Sequence, residues 1–593
     1  MVSAPDPLVD RGNLGIAEWA VPNWRSSAVF DAKVAVHRTV RLFSDLATNL
    51  CRWEKSADGD FPAILGESRT KLWSDERPEE HRYQLGKVQN LRRAAALLDR
   101  VVVPAGEVFS FWKQIGRAVR RRGFVTGRML QQGCLVPATG GGLCQLSNAI
   151  YEAALQSGCA IVERHAHSRA VAGSAAVAGR DATVAWNYVD LRFRPPTTLQ
   201  IEAHLTRDEL VIRFRGVSAV KPPSPQAAEP ISRSLMAARS CATCGETSCF
   251  RHEPHAVHPA ETGHTAFLVD ENWPEFQDYV RRAHRSADIL GLPLDGAKWR
   301  MPRYAWRVDG FARKGAASLQ ALARTIAIRR APTQGAARRH AELTGAERIA
   351  KRLARLLAPE VTRVCVAQSL LPYLWRDGYL GGREVEVLMT RLPMAELQAR
   401  LDRAVEAHPD RATLGDFRAP PALVAAEAEA LAYASRIVTP HAEIARLFAE
   451  KATLLDWQRP STRAVVRAAR PNGIAFAGPT IARKGAYAVR DAAKALGLEI
   501  VVFGSDLEGP GFWGDVAVRK LEPGADWLDG VAAVIQPAIV EERPRPLLMA
   551  LAAGVSVIAS PACGLAVQNG LTLVAPDDAD ALIAALKTVL PQP

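Results

Sequence analysis

The stretch "GGGLCQLSNAIYEAALQSGCAIVERHAHSRAV", residues 140–171, carries the strongest local structural signals in the chain. Three glycines run into Cys144, and the residues that follow have the apolar spacing of a helix, with Ile150, Ala154 and Leu155 on one face. Glycine adopts backbone angles that other residues avoid and lets a second group approach closely. The stretch therefore predicts a turn, a helix that begins near Cys144, and then a strand.

Cys144 is a candidate nucleophile, because N–H groups and the helix dipole at a helix start stabilise a thiolate. The predicted strand carries His165 and His167, and Asp181 follows at the start of the next one. A thiol, an imidazole and a carboxylate in this order predict catalysis in which His167 is the base and Asp181 orients it. If the strand is regular, both histidines share a face and the choice between them stays open. The alternative is that Cys144 is a small apolar core residue.

Around this stretch, the chain combines helical patterns with alternating strand patterns. Residues 24–55 have helical periodicity, and three segments within 184–215 alternate as antiparallel strands do. The proline-rich run KPPSPQAAEP, residues 221–230, predicts the end of this α+β domain.

Residues 85–216 resemble the VanW family, whose name refers to vancomycin-resistance gene clusters. The motifs that carry the resemblance are "QNLRRAAALLDRVVVPAGEVFSFWKQIG", "GGGLCQLSNAIYEAAL", "ERHAHS" and "GRDATVAWNYVDLRF", in this order. The resemblance implies a domain of this family and gives no settled chemistry. It marks as motif positions Gly140–Gly142, Cys144, Gln145, His167 and Asp181.

The segment "CATCGETSCFRH" places four side chains of metal-binding types within twelve residues: Cys241, Cys244, Cys249 and His252. Thiolate and imidazole suit tetrahedral Zn²⁺, and four protein ligands indicate a structural site. An iron–sulfur cluster is the alternative cofactor. His255 and His258 are spare ligands that could replace His252.

The C-terminal half alternates helical patterns with short apolar strands, which is typical of a doubly wound α/β fold. Its segments "FAGPTIARKGAYAVRDAAKALGLEIVVFGS" and "VIQPAIVEERPRPLLMALAAGVSVIASPACGL" resemble two-lobed retaining glycosyltransferases of the GT-B type. The resemblance implies a nucleotide-sugar in the cleft between the lobes. It assigns four positions to that ligand: Gly478, Lys484, Gly504 and Glu541.

Two positions depart from the transferase pattern, since Pro479 stands where an arginine is usual and Met549 where a second glutamate is usual. A non-catalytic binding scaffold on the same fold is therefore an alternative for this half. The predicted fold class is a multidomain chain with an α+β domain, a small metal segment and a two-lobed α/β module. The predicted divisions are a helical N-terminal extension, the VanW-like domain, the linker with the metal segment, and the two lobes, at residues 1–84, 85–220, 221–262, 263–465 and 466–593.

The composition, with 48% hydrophobic and 23% charged residues, is that of a globular protein. The net charge of +13 is typical of solvated surfaces, and it also favours nucleotide-sugar phosphates or a peripheral anionic membrane face as partners. No nucleic-acid module accompanies the charge, so nucleic acid is not an expected partner. With no signal sequence or apolar span recognised, the predicted location is the cytoplasm.

The function predicted from these patterns is cell-envelope or surface-glycan metabolism. Glycosyl transfer from a nucleotide-sugar to a glycan or lipid-linked acceptor is the leading activity. Thiol-dependent acyl or amide chemistry at Cys144 and a non-enzymatic scaffold are the alternatives.

Overall fold

The structure is a computed structural model that describes residues 21, 23–48, 50–56, 61–75, 77–131, 134–167, 170–171, 180–218, 235–236, 239–241, 244–251, 263–460, 473–503, 506–521 and 527–590. The chain divides into two compact units. Unit 1 comprises Met1–Gly263 and Asp377–Arg383, and unit 2 comprises His264–Arg376 and Glu384–Pro593. The short segment Asp377–Arg383 thus lies inside the predicted division 263–465 but groups with unit 1.

Unit 1 is an α+β structure. In chain order its elements are α1 Trp24–Ala47, β1 Ala63–Lys71, α2 His81–Leu98, β2 Val101–Val103, β3 Phe109–Ser110, α3 Phe111–Ile115, β4 Thr126–Gln131, β5 Cys134–Thr139, α4 Leu143–Gln156, β6 Ala160–Glu163, β7 Ala170–Val171, β8 Arg192–Arg194, β9 Leu199–Leu205, β10 Glu209–Gly216, β11 Leu235–Met236 and β12 Arg239–Ser240.

The core of unit 1 lies between a four-stranded antiparallel sheet, in the order β1-β10-β9-β2, and the helices α2 and α4. Strand β9 alternates strictly between buried and half-buried residues, as expected when one face covers a core. Helix α4 buries Leu146 and Ile150 completely in this core. Each such side chain contributes about 1.5–3 kcal/mol of burial free energy, which holds the start of α4 in place.

The predicted helical extension over residues 1–84 needs correction, because it contains strand β1. This strand pairs antiparallel with β10 from Ala63 opposite Gly216 to Lys71 opposite Glu209. Helix α1 ends at Ala47 instead of continuing through residue 55. The strand was hard to predict because charged residues and Gly66 interrupt its apolar alternation; a side chain at Gly66 would collide with α4.

The strand predicted from residue 184 is also much shorter than expected. Only Arg192–Arg194 (β8) is a strand, whereas the preceding residues turn at Asn187, whose φ is 60°. A positive φ is compatible with asparagine but ends regular strand geometry, so the alternating pattern does not produce a strand here.

Unit 2 contains helices interleaved with two sheets. Its elements are β13 His264–Leu268, α5 Pro274–Ala283, β14 Ile289–Leu292, β15 Arg313–Ala316, α6 Ser318–Arg330, α7 Ala336–Leu353, β16 Val361–Ala367, α8 Leu371–Arg376, β17 Glu384–Leu388, α9 Met394–Ala407, α10 Pro421–Tyr433, β18 Arg436–Thr439, α11 Ala442–Leu447, β19 Ala452–Leu454, β20 Gly473–Phe476, α12 Ala486–Leu496, β21 Glu499–Phe503, β22 Val518–Leu521, β23 Val531–Gln536, α13 Arg545–Ala552, β24 Ser556–Ala559, β25 Leu571–Leu573 and α14 Ala579–Val589.

Both sheets of unit 2 are parallel, in the orders β15-β14-β13-β16-β17-β18-β19 and β22-β21-β20-β23-β24-β25. In each sheet the first strand lies in the middle and the chain reverses direction beside it. This is the doubly wound order, in which ligands bind at the carboxyl ends of the strands near the reversal. The predicted parallel α/β module is therefore confirmed as a fold class.

None of the helices in the described part of the chain is both long and apolar enough to cross a membrane.

Candidate active site

Cys144 is the second residue of helix α4, as the glycine run predicts. The helix is preceded by Gly142, whose φ of 100° is strained for other residues, and no side chain caps its first N–H groups. The first N–H groups of the helix and the helix dipole give this end a partial positive charge. The glycines serve packing instead of an open approach, because a Cβ at Gly142 would lie 2.4 Å from Cγ of Lys87.

The sulfur of Cys144 faces the segment that follows Asp181. Its Sγ lies 3.6 Å from Oγ1 of Thr183 and 3.8 Å from the carbonyl oxygen of Val184. This segment is fixed to α4, since the Ala182 N–H donates to the Asn148 side chain at 2.7 Å. The sulfur thus packs against a segment that is hydrogen-bonded to α4, while Cys144 remains partly exposed.

His167 and Asp181 form a close pair beside Cys144. Nδ1 of His167 lies 2.6 Å from Oδ2 of Asp181, and the His167 backbone N–H donates to the same oxygen at 2.7 Å. Asp181 is fully buried, and the Arg164 guanidinium contacts its other oxygen at 3.1 Å. The carboxylate therefore fixes the orientation of the imidazole and leaves Nε2 for another partner.

The pKa values of Cys144 and His167 favour a thiolate and an imidazolium. Burial raises the pKa of Cys144, but hydrogen bonding and charge interaction with His167 outweigh burial and hold that pKa below its usual value. Burial lowers the pKa of His167, whereas Asp181 and Cys144 together raise it to about 9. A charge-stabilised thiolate is the reactive form of cysteine, so the geometry provides an activated nucleophile.

His165, the other candidate base, has a different environment. Its Nε2 lies 3.1 Å from the Glu163 carboxylate, and about half of its side chain is exposed. Its carbonyl oxygen accepts the Thr183 N–H at 2.7 Å. The predicted strand through both histidines ends at Glu163 (β6), so the alternation that would place both on one face does not apply.

Three further residues were not singled out from the sequence: Arg164, Thr183 and Tyr188. The pKa of the Tyr188 phenol is raised by burial and by the nearby charge of Cys144. Helix α1 contributes Arg38, whose guanidinium lies 5.9 Å from the Tyr188 ring centroid. Asp190, the next carboxylate in the sequence after Asp181, accepts from Ser110 Oγ at 2.6 Å and belongs to a separate buried network.

The predicted metal segment is only partly described, since His252 lies outside the described residues. Cys241 is joined to β5 by its backbone N–H, which donates to the Leu135 carbonyl at 3.1 Å. Burial and the neighbouring cysteines, including Cys134, raise the pKa of Cys241 to about 11. Within the described ranges no group of three or more histidine, cysteine or acidic side chains is arranged to hold an ion, and the metal stays a prediction.

In unit 2, Lys484 and Glu541 contact each other. Nζ of Lys484 lies 2.8 Å from Glu541 Oε2 and 3.1 Å from the Val540 carbonyl. A Cβ added at Gly478 would lie 3.1 Å from Cβ of Lys484, so this glycine makes room for the pair. Gly504 lies outside the described residues. Three of the four predicted positions thus lie together, with Lys484 and Glu541 in an ion pair and Gly478 beside it.

Comparison with solved structures gives low similarities over the C-terminal part of the chain. The sucrose-phosphate synthase of Thermosynechococcus elongatus has a TM-score of 0.35 and 14% identity, and covers 55% of this chain and 89% of its own. The Anabaena protein HepE, in complex with UDP and glucose, has a TM-score of 0.33 and 14% identity over 55% and 89%. The apo galactosyltransferase WaaB has a TM-score of 0.32 and 12% identity over 55% and 90%.

Comparison with curated proteins finds relatives that match a smaller part of the chain. The Vancomycin B-type resistance protein VanW of Enterococcus faecalis is 28% identical over 162 residues, which is 27% of this chain and 59% of that protein. The uncharacterised protein YoaR of Bacillus subtilis is 36% identical over 105 residues, 18% of this chain and 34% of that protein. The chain thus spans less than two thirds of either relative. Residues 86–215 match the family model described as VanW like protein, which confirms the predicted resemblance for the domain that holds Cys144.

Proposed function

We propose that the VanW-like domain catalyses thiol-dependent acyl transfer, with Cys144 as nucleophile, His167 as base and acid, and Asp181 as the group that orients His167. The observation that carries this proposal is the 2.6 Å contact between His167 and Asp181 beside a thiol whose pKa is lowered. Perturbed titrating groups that act on one another are typical of catalytic sites.

The proposed reaction begins when the thiolate attacks the carbonyl carbon of an amide or ester. A C–S bond forms, and the uncapped N–H groups at the start of α4 stabilise the negative oxygen. His167 then donates its proton to the leaving amine or alcohol as the C–N or C–O bond breaks. Attack by an acceptor amine or by water on the thioester releases the acyl group and restores the pair.

Acylation of Cys144 by an activated ester tests this function. With p-nitrophenyl acetate, the protein should release a burst of about one equivalent of p-nitrophenol and carry one acetyl group on Cys144, as measured by intact and peptide mass spectrometry. Cys144→Ala should abolish the burst, whereas Cys51→Ala, at an exposed cysteine, should leave it unchanged. A burst that survives in Cys144→Ala would contradict the proposed nucleophile.

For unit 2 we propose glycosyl transfer from a nucleotide-sugar to a glycan or lipid-linked acceptor as a second function. The supporting observation is that both parallel sheets have the doubly wound order, which places ligand sites at the carboxyl ends of their strands. Together with the name of the vancomycin-resistance relative, this favours a role in the cell envelope. A non-catalytic scaffold is the alternative, and turnover of a nucleotide-sugar distinguishes the two.

We also propose that Cys241, Cys244 and Cys249, with His252, bind a zinc ion, or iron in a cluster as the alternative. Elemental analysis of the purified chain should find about one equivalent of zinc, which Cys244→Ser should lose while unit 2 keeps its unfolding transition. Cys159→Ser, at a buried cysteine outside this segment, is the control that should retain the metal. Protein without metal and with all three thiols titratable would contradict the proposal.

A further inference from the structure

Unit 2 contains a cavity of about 220 Å³ with an unusual concentration of arginine. Besides carboxylates and apolar side chains, it is lined by Arg303, Arg324, Arg338, Arg339, Arg391 and Arg483. A guanidinium withdrawn from water requires a counter-charge, so the partners of these arginines indicate what the cavity can bind.

Three of the arginines are neutralised by carboxylates. Arg324 makes two contacts to Asp270, at 2.5 and 3.0 Å, and Arg391 is paired with Glu542. Arg303 is paired in the same way with a lining glutamate. Because these three arginines are already paired with carboxylates, they do not require a ligand.

Arg339 and Arg483 are different, because both are buried and incompletely satisfied. Their exposed fractions are 6% and 8%. Among the described residues, Nε of Arg339 and Nη1 of Arg483 have no hydrogen-bond partner. Arg483 donates to the neutral Gln334 amide at 3.0 Å, and Arg339 reaches Glu342 only at 3.4 Å. Burial lowers the pKa of both side chains, that of Arg339 to about 10.

Phe417 brings these two cations and a third together. The guanidinium carbons of Arg339, Arg391 and Arg483 lie 4.3, 5.5 and 5.2 Å from the centroid of its ring. One aromatic ring offsets only part of the repulsion among these guanidinium groups. The cluster therefore favours an anion between the arginines.

The start of helix α7 adds to the positive potential. Gln334 and Gly335 line the cavity, the 18-residue helix begins at the next residue, and no side chain caps its N–H groups. Its first turn contains no acidic residue. The helix dipole thus acts in the same direction as the two incompletely neutralised arginines.

We propose that this cavity binds a phosphate-bearing ligand whose phosphoryl oxygens bridge Arg339 and Arg483 beside Phe417. A single carboxylate can accept paired hydrogen bonds from one guanidinium group. A phosphate carries a charge near −2 and has enough oxygens to accept such bonds from two guanidinium groups. The site does not use Lys484, whose ammonium is committed to Glu541. It also does not depend on the chemistry proposed for Cys144, which lies in unit 1.

Calorimetry on the full chain with phosphate, pyrophosphate and UDP tests the site. Pyrophosphate should bind, and Arg483→Gln should weaken its binding about tenfold or more through the loss of charge-assisted hydrogen bonds. Arg446→Gln, at a side chain that is 75% exposed, should not change the affinity. Equal effects of Arg483→Gln on UDP and pyrophosphate would assign the site to phosphate groups in general. Binding of UDP alone would assign it to a nucleotide.

The melting temperature without ligand is a second readout that does not depend on activity. Removing a buried, incompletely neutralised cation should leave the melting temperature of Arg483→Gln equal to or above that of the unchanged protein, while the ligand-induced rise is lost. No binding of any of the three probes at millimolar concentration would overturn the proposal. The proposal would also be overturned if Lys484→Met abolished the binding of UDP and Arg483→Gln left it unchanged.

Discussion

Replacing His167 with glutamine should slow the alkylation of Cys144 by iodoacetamide at pH 6.5 by a factor on the order of 100, the lower range for a base paired with a nucleophile. In the unchanged protein, His167 is protonated and holds the Cys144 pKa below its usual value. Without the imidazolium, burial dominates and the thiol stays protonated and unreactive. Peptide mass spectrometry over a time course, with the exposed Cys51 as internal reference, gives the rate.

The pH dependence of this effect follows from the direction of the shifts. The pKa of His167 is raised to about 9, so the folded protein carries the imidazolium below that pH and loses its effect on the Cys144 thiol as the pH rises through about 9. The difference between the two proteins should therefore narrow above pH 9. His165→Gln is the matched control and should alkylate normally, because His165 contacts Glu163. If Cys144 were alkylated at equal rates in the His167→Gln variant and the unchanged protein, His167 would not be the group that stabilises the thiolate.

Replacing Lys484 with methionine should lower the free energy of unfolding of unit 2 by about 3–5 kcal/mol, the usual cost of leaving a buried charge without its partner. Glu541 is only 8% exposed. Burial raises its pKa, and Lys484, together with the backbone N–H groups of Glu542 and Arg543, outweighs burial and lowers it. Urea unfolding followed by tryptophan fluorescence measures the loss.

Two controls make this result specific. Lys494→Met, at an exposed position of α12, should change stability by less than about 0.5 kcal/mol. The destabilisation by Lys484→Met should also shrink as the pH falls, because a protonated Glu541 no longer needs a cation. A stability loss below about 1 kcal/mol at neutral pH would show that Lys484 is free to serve a ligand instead.

The sequence predicted much of unit 1 because its signals are local. A glycine run followed by helical periodicity placed Cys144 at a helix start, where the structure has it. The sequence predicted His167 as the base but left the choice open for a regular strand, because where β6 ends depends on its long-range pairing with β8, and the strand stops at Glu163, before either histidine. The contribution of Thr183 is a tertiary contact with no pattern in the sequence.

In unit 2 the alternation of strands and helices was predictable, but the direction of single side chains was not. Ala482–Lys484 forms a 3₁₀ turn, in which successive side chains point about 120° apart. Arg483 therefore lines the cavity, whereas Lys484 points to Glu541. The sequence predicted that Lys484 faces the ligand, whereas the residue before it, Arg483, lines the cavity. This difference of one position follows from the geometry of the turn, which a motif does not reveal.

The pairing of β1 with β10 determines where the VanW-like domain can be cut for expression. The family match begins at residue 86, but β1 covers the edge of β10 along almost its whole length. A fragment that starts at residue 86 would leave the edge of β10 from Glu209 to Gly216 without its partner strand, and the N–H and C=O groups that face this edge, on alternate residues, would be open. Such open edges pair with other chains and aggregate. A soluble recombinant domain therefore has to begin upstream of Ala63, and the boundary of sequence similarity is not the boundary of the folding unit.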